Sequence, residues 1–218
     1  PPDDYLPAVR NLCDRHGALL ILDEVQNGLG RTGTMFACEQ AAITPDFLCL
    51  GKGLTGGYLP LSAVLTSDTI YQAFYDDYAT RKAFLHSHSY TGNALACRAA
   101  LATLDIFEQD PVLENNRKLA QAMRDASAHF ADHAHVAEVR QTGMILAIEM
   151  IQDKATRTPY QWQQRRGLRV SRHALENGVL LRPLGDVIYF MPPYVITTDE
   201  INYMAETAWQ GIHLATKD

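Results

Sequence analysis

The chain has 218 residues, 47% of them hydrophobic and 20% charged, with a formal net charge of −6. That supports one large domain or two small ones with an ordinary core. The absence of any Lys/Arg-rich block argues against nucleic acid or an anionic membrane as partner. No apolar run approaches membrane length, and the start, Pro1-Pro2-Asp3-Asp4, lacks the basic and apolar regions of a signal peptide. Cys13, Cys38, Cys49 and Cys97 are far apart with no Cys-x-x-Cys pair, which fits buried thiols in a reducing cytoplasm rather than disulfides or a zinc site.

In chain order, Leu6, Val9, Leu12 and Cys13 recur at helical spacing, so a helix is expected over 5–16, stopped by Gly17. The apolar run 19–22 reads as a buried strand ending at Asp23. A glycine-rich loop follows at 27–33 and a short helical segment at 34–42. Pro45 then resets the chain before a second buried strand at 47–50, which exits into Gly51-Lys52-Gly53. Strand, crossover and strand make a βαβ-like unit, which requires a parallel sheet. Such a sheet wants several neighbours and cover on both faces. Either it is very small here, or the chain is the later part of a longer protein.

A third strand is expected at 61–66 and a helix at 68–75 capped by Ser67. The polar run from His86 to Asn93 leads into a long Ala/Leu-rich helix at 94–107. Asp110-Pro111 marks a boundary between domains at 1–109 and 110–218, since proline just inside a helix start is a common arrangement. Beyond it, an amphipathic helix is expected at 112–130 and an antiparallel pair at 136–141 and 144–150. A helix at 160–176 precedes short strands at 179–182 and 187–190, which turn at Gly185, and Thr198-Asp199-Glu200 caps a last helix to about residue 214. The first half reads as parallel α/β and the second as α+β.

Open α/β sheets place ligands outside the carboxyl ends of their strands, which is where Asp23 and Lys52 fall. A lysine in a glycine-rich turn is usually a surface residue, and an acid after a strand is often a cap. A buried amine, however, has its charged form disfavoured and becomes a usable Schiff-base nucleophile. An acid facing a pyridinium nitrogen and a Schiff-base lysine together make a pyridoxal phosphate site. Gly28-Leu29-Gly30-Arg31-Thr32-Gly33 fits neither the Rossmann fingerprint nor a P-loop. It reads as a substrate-side loop in which Arg31 is available for a carboxylate. His86 and His88 have no third ligand near in sequence, and no metal site is expected. Ser87, Ser89 and Thr91, with free amides at a helix start, are better suited to hold a phosphate. Arg182 offers a rigid fork for a carboxylate. Tyr189 lines the same pocket or is a half-buried strand aromatic.

The combination Asp23-Glu24-Val25-Gln26, Gly30-Arg31-Thr32-Gly33, Pro45-Asp46 and Gly51-Lys52-Gly53 resembles the class III pyridoxal-phosphate aminotransferases. Three further segments are similar to the branch that aminates 8-amino-7-oxononanoate with S-adenosylmethionine as donor, in biotin biosynthesis. They are Leu54 to Leu61, His88 to Cys97, and Arg182-Pro183-Leu184-Gly185 with Ile188 to Tyr194. The resemblance implies the fold type I architecture of pyridoxal-phosphate enzymes, with a partial large cofactor domain followed by a small α+β C-terminal domain.

It also implies roles. Lys52 would be the Schiff-base lysine and proton carrier, and Asp23 would keep the pyridine nitrogen protonated. Val25 would pack on the ring and Gln26 would lie near its 3-hydroxyl. Ser89 would reach the cofactor phosphate of the neighbouring subunit of a homodimer. Arg182 would bind the oxononanoate carboxylate, with Arg31, Ser87 and Tyr189 nearby on the substrate side. Relatives have an earlier half of the cofactor domain that supplies the phosphate cup. This chain alone would therefore bind the cofactor poorly and be inactive. Two other readings stand beside this one: another class III ω-amino-acid or diamine aminotransferase, and a non-catalytic assembly module.

Overall fold

The computed structural model describes residues 4–217, so the opening Pro1-Pro2-Asp3 lies outside the described residues. The chain divides into two compact units, Pro1–Val112 and Leu113–Asp218.

In the first unit, α1 (Tyr5–His16) ends where Gly17 takes a left-handed φ of 62° and its N–H meets the last carbonyls. Leu6, Val9 and Cys13 are half-buried as their spacing predicts, but Leu12 falls off that face and is 53% exposed. The sheet order is β1 (Ile21–Asp23), β2 (Phe47–Leu50), β3 (Ala63–Thr66). β1 pairs parallel with β2, with Asp23 opposite Cys49. β3 returns antiparallel. No helix long enough to carry the chain back over the sheet separates β2 from β3, so the purely parallel expectation fails there. The short helical segment expected in the crossover between β1 and β2 is a 3-10 helix, Ala37–Ala41.

β1 is not the buried strand its composition suggests. Leu19 is 59% and Ile21 61% exposed, because β1 pairs on one side only among the described residues. β2, paired on both sides, buries Leu48 and Leu50. Those two pack with Leu29, Leu54 and Ala100, the last from α3 (Ala94–Gln109). α2 (Asp68–Gln72) is shorter than expected but keeps its Ser67 cap.

Asp46 ties α1 to the sheet. One carboxylate oxygen, Oδ2, accepts from the Leu20 N–H at 2.7 Å and from Arg10 Nη1 at 2.8 Å. The Leu20 amide, then Arg10, holds this carboxyl below its usual range. A carboxyl depressed in the fold adds stability above its unfolded pKa, and that stability is lost as pH falls through the folded value. Asp46→Asn should therefore lower the melting temperature at neutral pH. The gap to wild type should close as the pH is taken below about 4, the unfolded range of an aspartate. Melting curves across pH check this, and a gap that persists in acid would contradict it.

The second unit has an antiparallel sheet in the order β4 (Val136–Thr142), β5 (Ile145–Met150), β7 (Val187–Phe190), β6 (Arg182–Leu184). Alternation along β5 and β7 sends Leu146, Ile148, Ile188 and Phe190 inward. There they pack with Val170 of α5 (Arg166–Glu176) and Ile201 of α6 (Thr198–Ala215). Three boundaries differ from expectation. α4 (Val112–Ala126) stops early and a separate 3-10 turn, Ala128–Asp132, carries Phe130 into the core. The segment before α5 breaks at Arg165, where φ is +49°, leaving the 3-10 turn Trp162–Gln164 apart from the helix. Thr197, not Thr198, caps α6, in a capping box with Glu200. No helix among the described residues is long and apolar enough to cross a membrane.

Candidate functional site

β1 and β2 run in the same direction, so their carboxyl ends open on one side of the sheet. Asp23 is the last residue of β1, and Lys52 follows β2 by two residues. The Asp23 carboxylate is exposed, and its Oδ1 accepts from the Val25 N–H at 3.0 Å, so the turn aims the acid outward from the strand end. Lys52 opens a 3-10 turn, Lys52–Thr55, against which α3 packs. Its φ is +44°. A non-glycine residue in the left-handed region costs about 1–3 kcal/mol, and such outliers concentrate at functional sites.

The Lys52 residue is exposed among the described residues, where the sequence leads one to expect a buried amine. What it meets is Gln26: Nζ donates to Gln26 Oε1 at 2.6 Å. Val25 completes the group. A Cβ placed on Gly51 would lie 3.2 Å from Val25 Cγ1, so the valine side chain rests on the backbone just before Lys52. Asp23, Val25, Gln26 and Lys52 thus lie at the exits of two neighbouring strands.

Glu24 was not singled out by its sequence position. It is 4% exposed, and its carboxylate accepts from the Ala37 N–H at 2.6 Å and the Cys38 N–H at 2.8 Å. Its main-chain oxygen also accepts from the Gly28 N–H at 2.9 Å. One buried acid therefore clamps both ends of the loop that follows β1. Burial, helped by the charge of Glu24, pushes the Cys38 thiol up to about 11, so that thiol stays protonated. The only sequence signal for Glu24 was an acid beside Asp23, because its partners lie on the far side of the loop. Arg31 is half-buried in this loop, between Gly30 at a φ of 85° and Gly33 at 105°.

Ser87 and Ser89 lie on the exposed segment before α3. Of the three amides expected to be available there, that of Thr91 is taken up within the segment, as are those of His88 and Tyr90. The His88 N–H bonds Thr91 Oγ1, the Tyr90 N–H bonds His88 Nδ1, and the Thr91 N–H bonds the His88 carbonyl. Asn93 caps the helix by accepting from the Ala96 N–H at 3.0 Å. Among the described residues no group of three or more His, Cys, Asp or Glu side chains could hold a metal ion.

In the second unit, Arg182 begins β6 rather than ending a strand, and Pro183 is accommodated because β6 is an edge strand. Arg182 and Tyr189 are direct cross-strand partners. Tyr189 alternates with the inward-facing Ile188 and Phe190, so it stands on the face away from the core. The same row continues through Ala147 to Arg140, whose guanidinium is bonded to Glu138 at 2.9 Å and Glu149 at 2.6 Å.

Comparison with known proteins places these features in context. Residues 1–210 match the family model described as aminotransferase class-III. The adenosylmethionine-8-amino-7-oxononanoate aminotransferase of Nitratidesulfovibrio vulgaris is 47% identical over 216 residues, which are 99% of this chain and 40% of that protein. The crystal structure of the enzyme of that name from Methanocaldococcus jannaschii superposes with a TM-score of 0.93 at 43% identity, covering 98% of this chain and 50% of that one. An omega transaminase from Pseudomonas jessenii, solved in complex with PMP, gives a TM-score of 0.94 at 31% identity, over 100% of this chain and 48% of that one. The chain spans about half the length of these relatives, or somewhat less. Its fold is the corresponding part of theirs, and with the family match over nearly the whole sequence, this chain belongs to the class III aminotransferases.

Proposed function

We propose that the full-length protein transfers an amino group from S-adenosylmethionine to 8-amino-7-oxononanoate, giving 7,8-diaminononanoate for biotin biosynthesis. The observation that carries the chemistry is the placement of an outward acid, Asp23, and an amine, Lys52, at the carboxyl ends of neighbouring parallel strands. The relatives' names support the substrates. The donor set fits pyridoxal 5′-phosphate: one fixed acid, one primary amine, and an apolar side chain between them.

When bound, pyridoxal phosphate supplies an electron sink for charge developing next to the reacting nitrogen. Asp23 would accept a hydrogen bond from the pyridine N–H and keep that proton in place. Lys52 would act as the amine that holds the cofactor and then as the base that moves a proton at the substrate carbon. Val25 would cover one face of the ring, and Gln26 would lie near its 3-hydroxyl. Ser89 would hold a phosphate oxygen of a neighbouring subunit's cofactor, making the protein a homodimer. Arg182 would fork the oxononanoate carboxylate, with Arg31, Ser87 and Tyr189 on the substrate side. The four free thiols fit a reducing cytoplasm.

The test is the half-reaction. Full-length protein loaded with pyridoxal phosphate should lose its cofactor absorbance when S-adenosylmethionine is added. Loss with an ω-amino acid or a diamine but none with S-adenosylmethionine would move the assignment to the second reading, an ω-aminotransferase, which the likeness to the Pseudomonas jessenii enzyme favours.

Arg182→Ala should raise the apparent KM for the oxononanoate by about 10- to 100-fold, the worth of a charge-assisted hydrogen bond. The KM for the donor should hardly move. A carboxylate contact remote from the reacting carbon is mostly uniform binding, so kcat should be largely kept. Steady-state kinetics in both substrates checks this, and equal effects on the two would count against the assignment.

A further inference from the structure

Lys52 is constrained twice, and by separate means. Its backbone sits at a φ of +44°, between Gly51 and Gly53, in a turn pinned by α3. Its amine is bonded at 2.6 Å to the side-chain carbonyl of Gln26, a residue of the loop after the neighbouring strand. Both side chains are exposed, so the bond is not a way of satisfying buried polar atoms. An exposed lysine ordinarily samples many rotamers, and ordering it costs up to about 2 kcal/mol of side-chain entropy. The strained backbone and the short bond to Gln26 together offset that entropy before any ligand arrives, with the amine beyond the carboxyl ends of β1 and β2.

We propose that Gln26 is a positioning residue for Lys52: its carbonyl oxygen holds the lysine amine in the orientation from which it meets the cofactor aldehyde. The proposal rests on the reading of Lys52 as the cofactor lysine. It goes beyond a contact between Gln26 and the cofactor ring. The step it serves is redox-neutral. The amine nitrogen bonds to the aldehyde carbon, and the aldehyde oxygen leaves as water with both amine protons. Prior orientation speeds such a capture because the reacting group is already within a near-attack arrangement. The same bond also gives the amine a place to return to whenever a substrate amine displaces it.

Full-length protein stripped of cofactor provides the test. Pyridoxal phosphate is added, capture is followed by absorbance, and the adduct is fixed with borohydride and mapped by peptide mass. In Gln26→Leu, capture at Lys52 should slow about tenfold, a modest share of what orientation can supply. Gln26→Glu keeps an acceptor oxygen at the same reach and should recover most of the rate. Gln26→Asn, one methylene shorter, should not. A second readout needs no cofactor: acetylation of Lys52 by acetic anhydride in stripped protein should not slow in Gln26→Leu, because a small reagent does not require the held orientation. A general structural defect would slow both reactions.

Repeating capture with 3-deoxypyridoxal phosphate separates the two roles of Gln26. The tenfold loss should persist with the analogue. If the loss vanishes, Gln26 acts on the ring hydroxyl and the positioning role falls. Capture in Gln26→Leu within twofold of wild type would also overturn it. No adduct on Lys52 even in wild type would instead overturn the reading beneath it, and the proposal with it.

Discussion

Lys52→Ala in the full-length protein should abolish transamination, by at least about 10³-fold in kcat, while the protein still folds. The size follows from the two roles assigned to one amine. A positioned proton-transfer group alone contributes about 10²- to 10⁴-fold, and loss of the covalent tether adds to that. The fold should tolerate the change because little rests on the side chain. Lys52 is exposed, and its amine is bonded to the side chain of Gln26, also exposed. Losing a bond of that kind costs on the order of 1 kcal/mol. Alanine is no worse than lysine at a φ of +44°, so the melting temperature should move by a few degrees at most. Turnover assays and thermal melts on the same preparation check both halves. Substantial residual transamination would remove Lys52 from the centre of the site. A collapse of the melting temperature would show that the turn, not the chemistry, had been damaged.

That site was legible in the sequence to the extent that its signals were local. Two apolar runs ending in opposite charges put Asp23 and Lys52 at strand exits, and the parallel pairing of β1 and β2 brings the exits to the same side. α1 was readable for the same reason, since a helical stripe and a glycine stop act within one element. What failed depended on distant partners. Burial of a strand belongs to its neighbours rather than to its composition, and β1 has one among the described residues. The expected helix at 160–176 has a continuous pattern. Tyr160 nevertheless joins the core while Arg166 stacks over its ring, 4.9 Å from the centroid, and the chain bends between them. Glu24 could not be seen because the amides it clamps lie thirteen and fourteen residues on. Before α3, the Thr91 amide is lost to a partner in its own turn, the His88 carbonyl, which no pattern in the sequence marks.

Gly167→Ala should destabilise the second unit by about 3 kcal/mol, at the upper end of what overpacking costs. Gly167 lies in the first turn of α5, against the turn between β6 and β7. A Cβ there would collide with the Gly185 carbonyl oxygen and fall 2.9 Å from Pro183 Cβ. The obstacle is backbone and a proline ring, neither of which can swing aside. Nor can the helix end back away, because Arg166 is buried and Nη1 donates to the Ala215 carbonyl at the end of α6. The turn itself is held from within by Gly185, at a φ of 61°. Beside it, burial pushes the Asp186 carboxyl up, with Arg166 and the Gly167 N–H opposing the shift.

Gly211 in α6 is the internal control. A Cβ there would meet Val170 Cγ1 at 3.0 Å and His173 Cδ2 at 3.2 Å, side-chain atoms that can yield by a few tenths of an ångström. Gly211→Ala should cost about 1 kcal/mol or less, since alanine also favours the helix. Chemical denaturation of the two variants gives the comparison, and equal losses would mean that α5 can shift after all. The Gly167 variant carries a second consequence. Pro183 and Gly185 belong to the hairpin that begins at Arg182 and pairs it with Tyr189. Moving that hairpin to admit a methyl group would displace the Arg182 guanidinium, for which we propose the oxononanoate carboxylate as partner. What folded protein remains should therefore show a raised KM for the oxononanoate, while the donor half-reaction at Lys52 is spared.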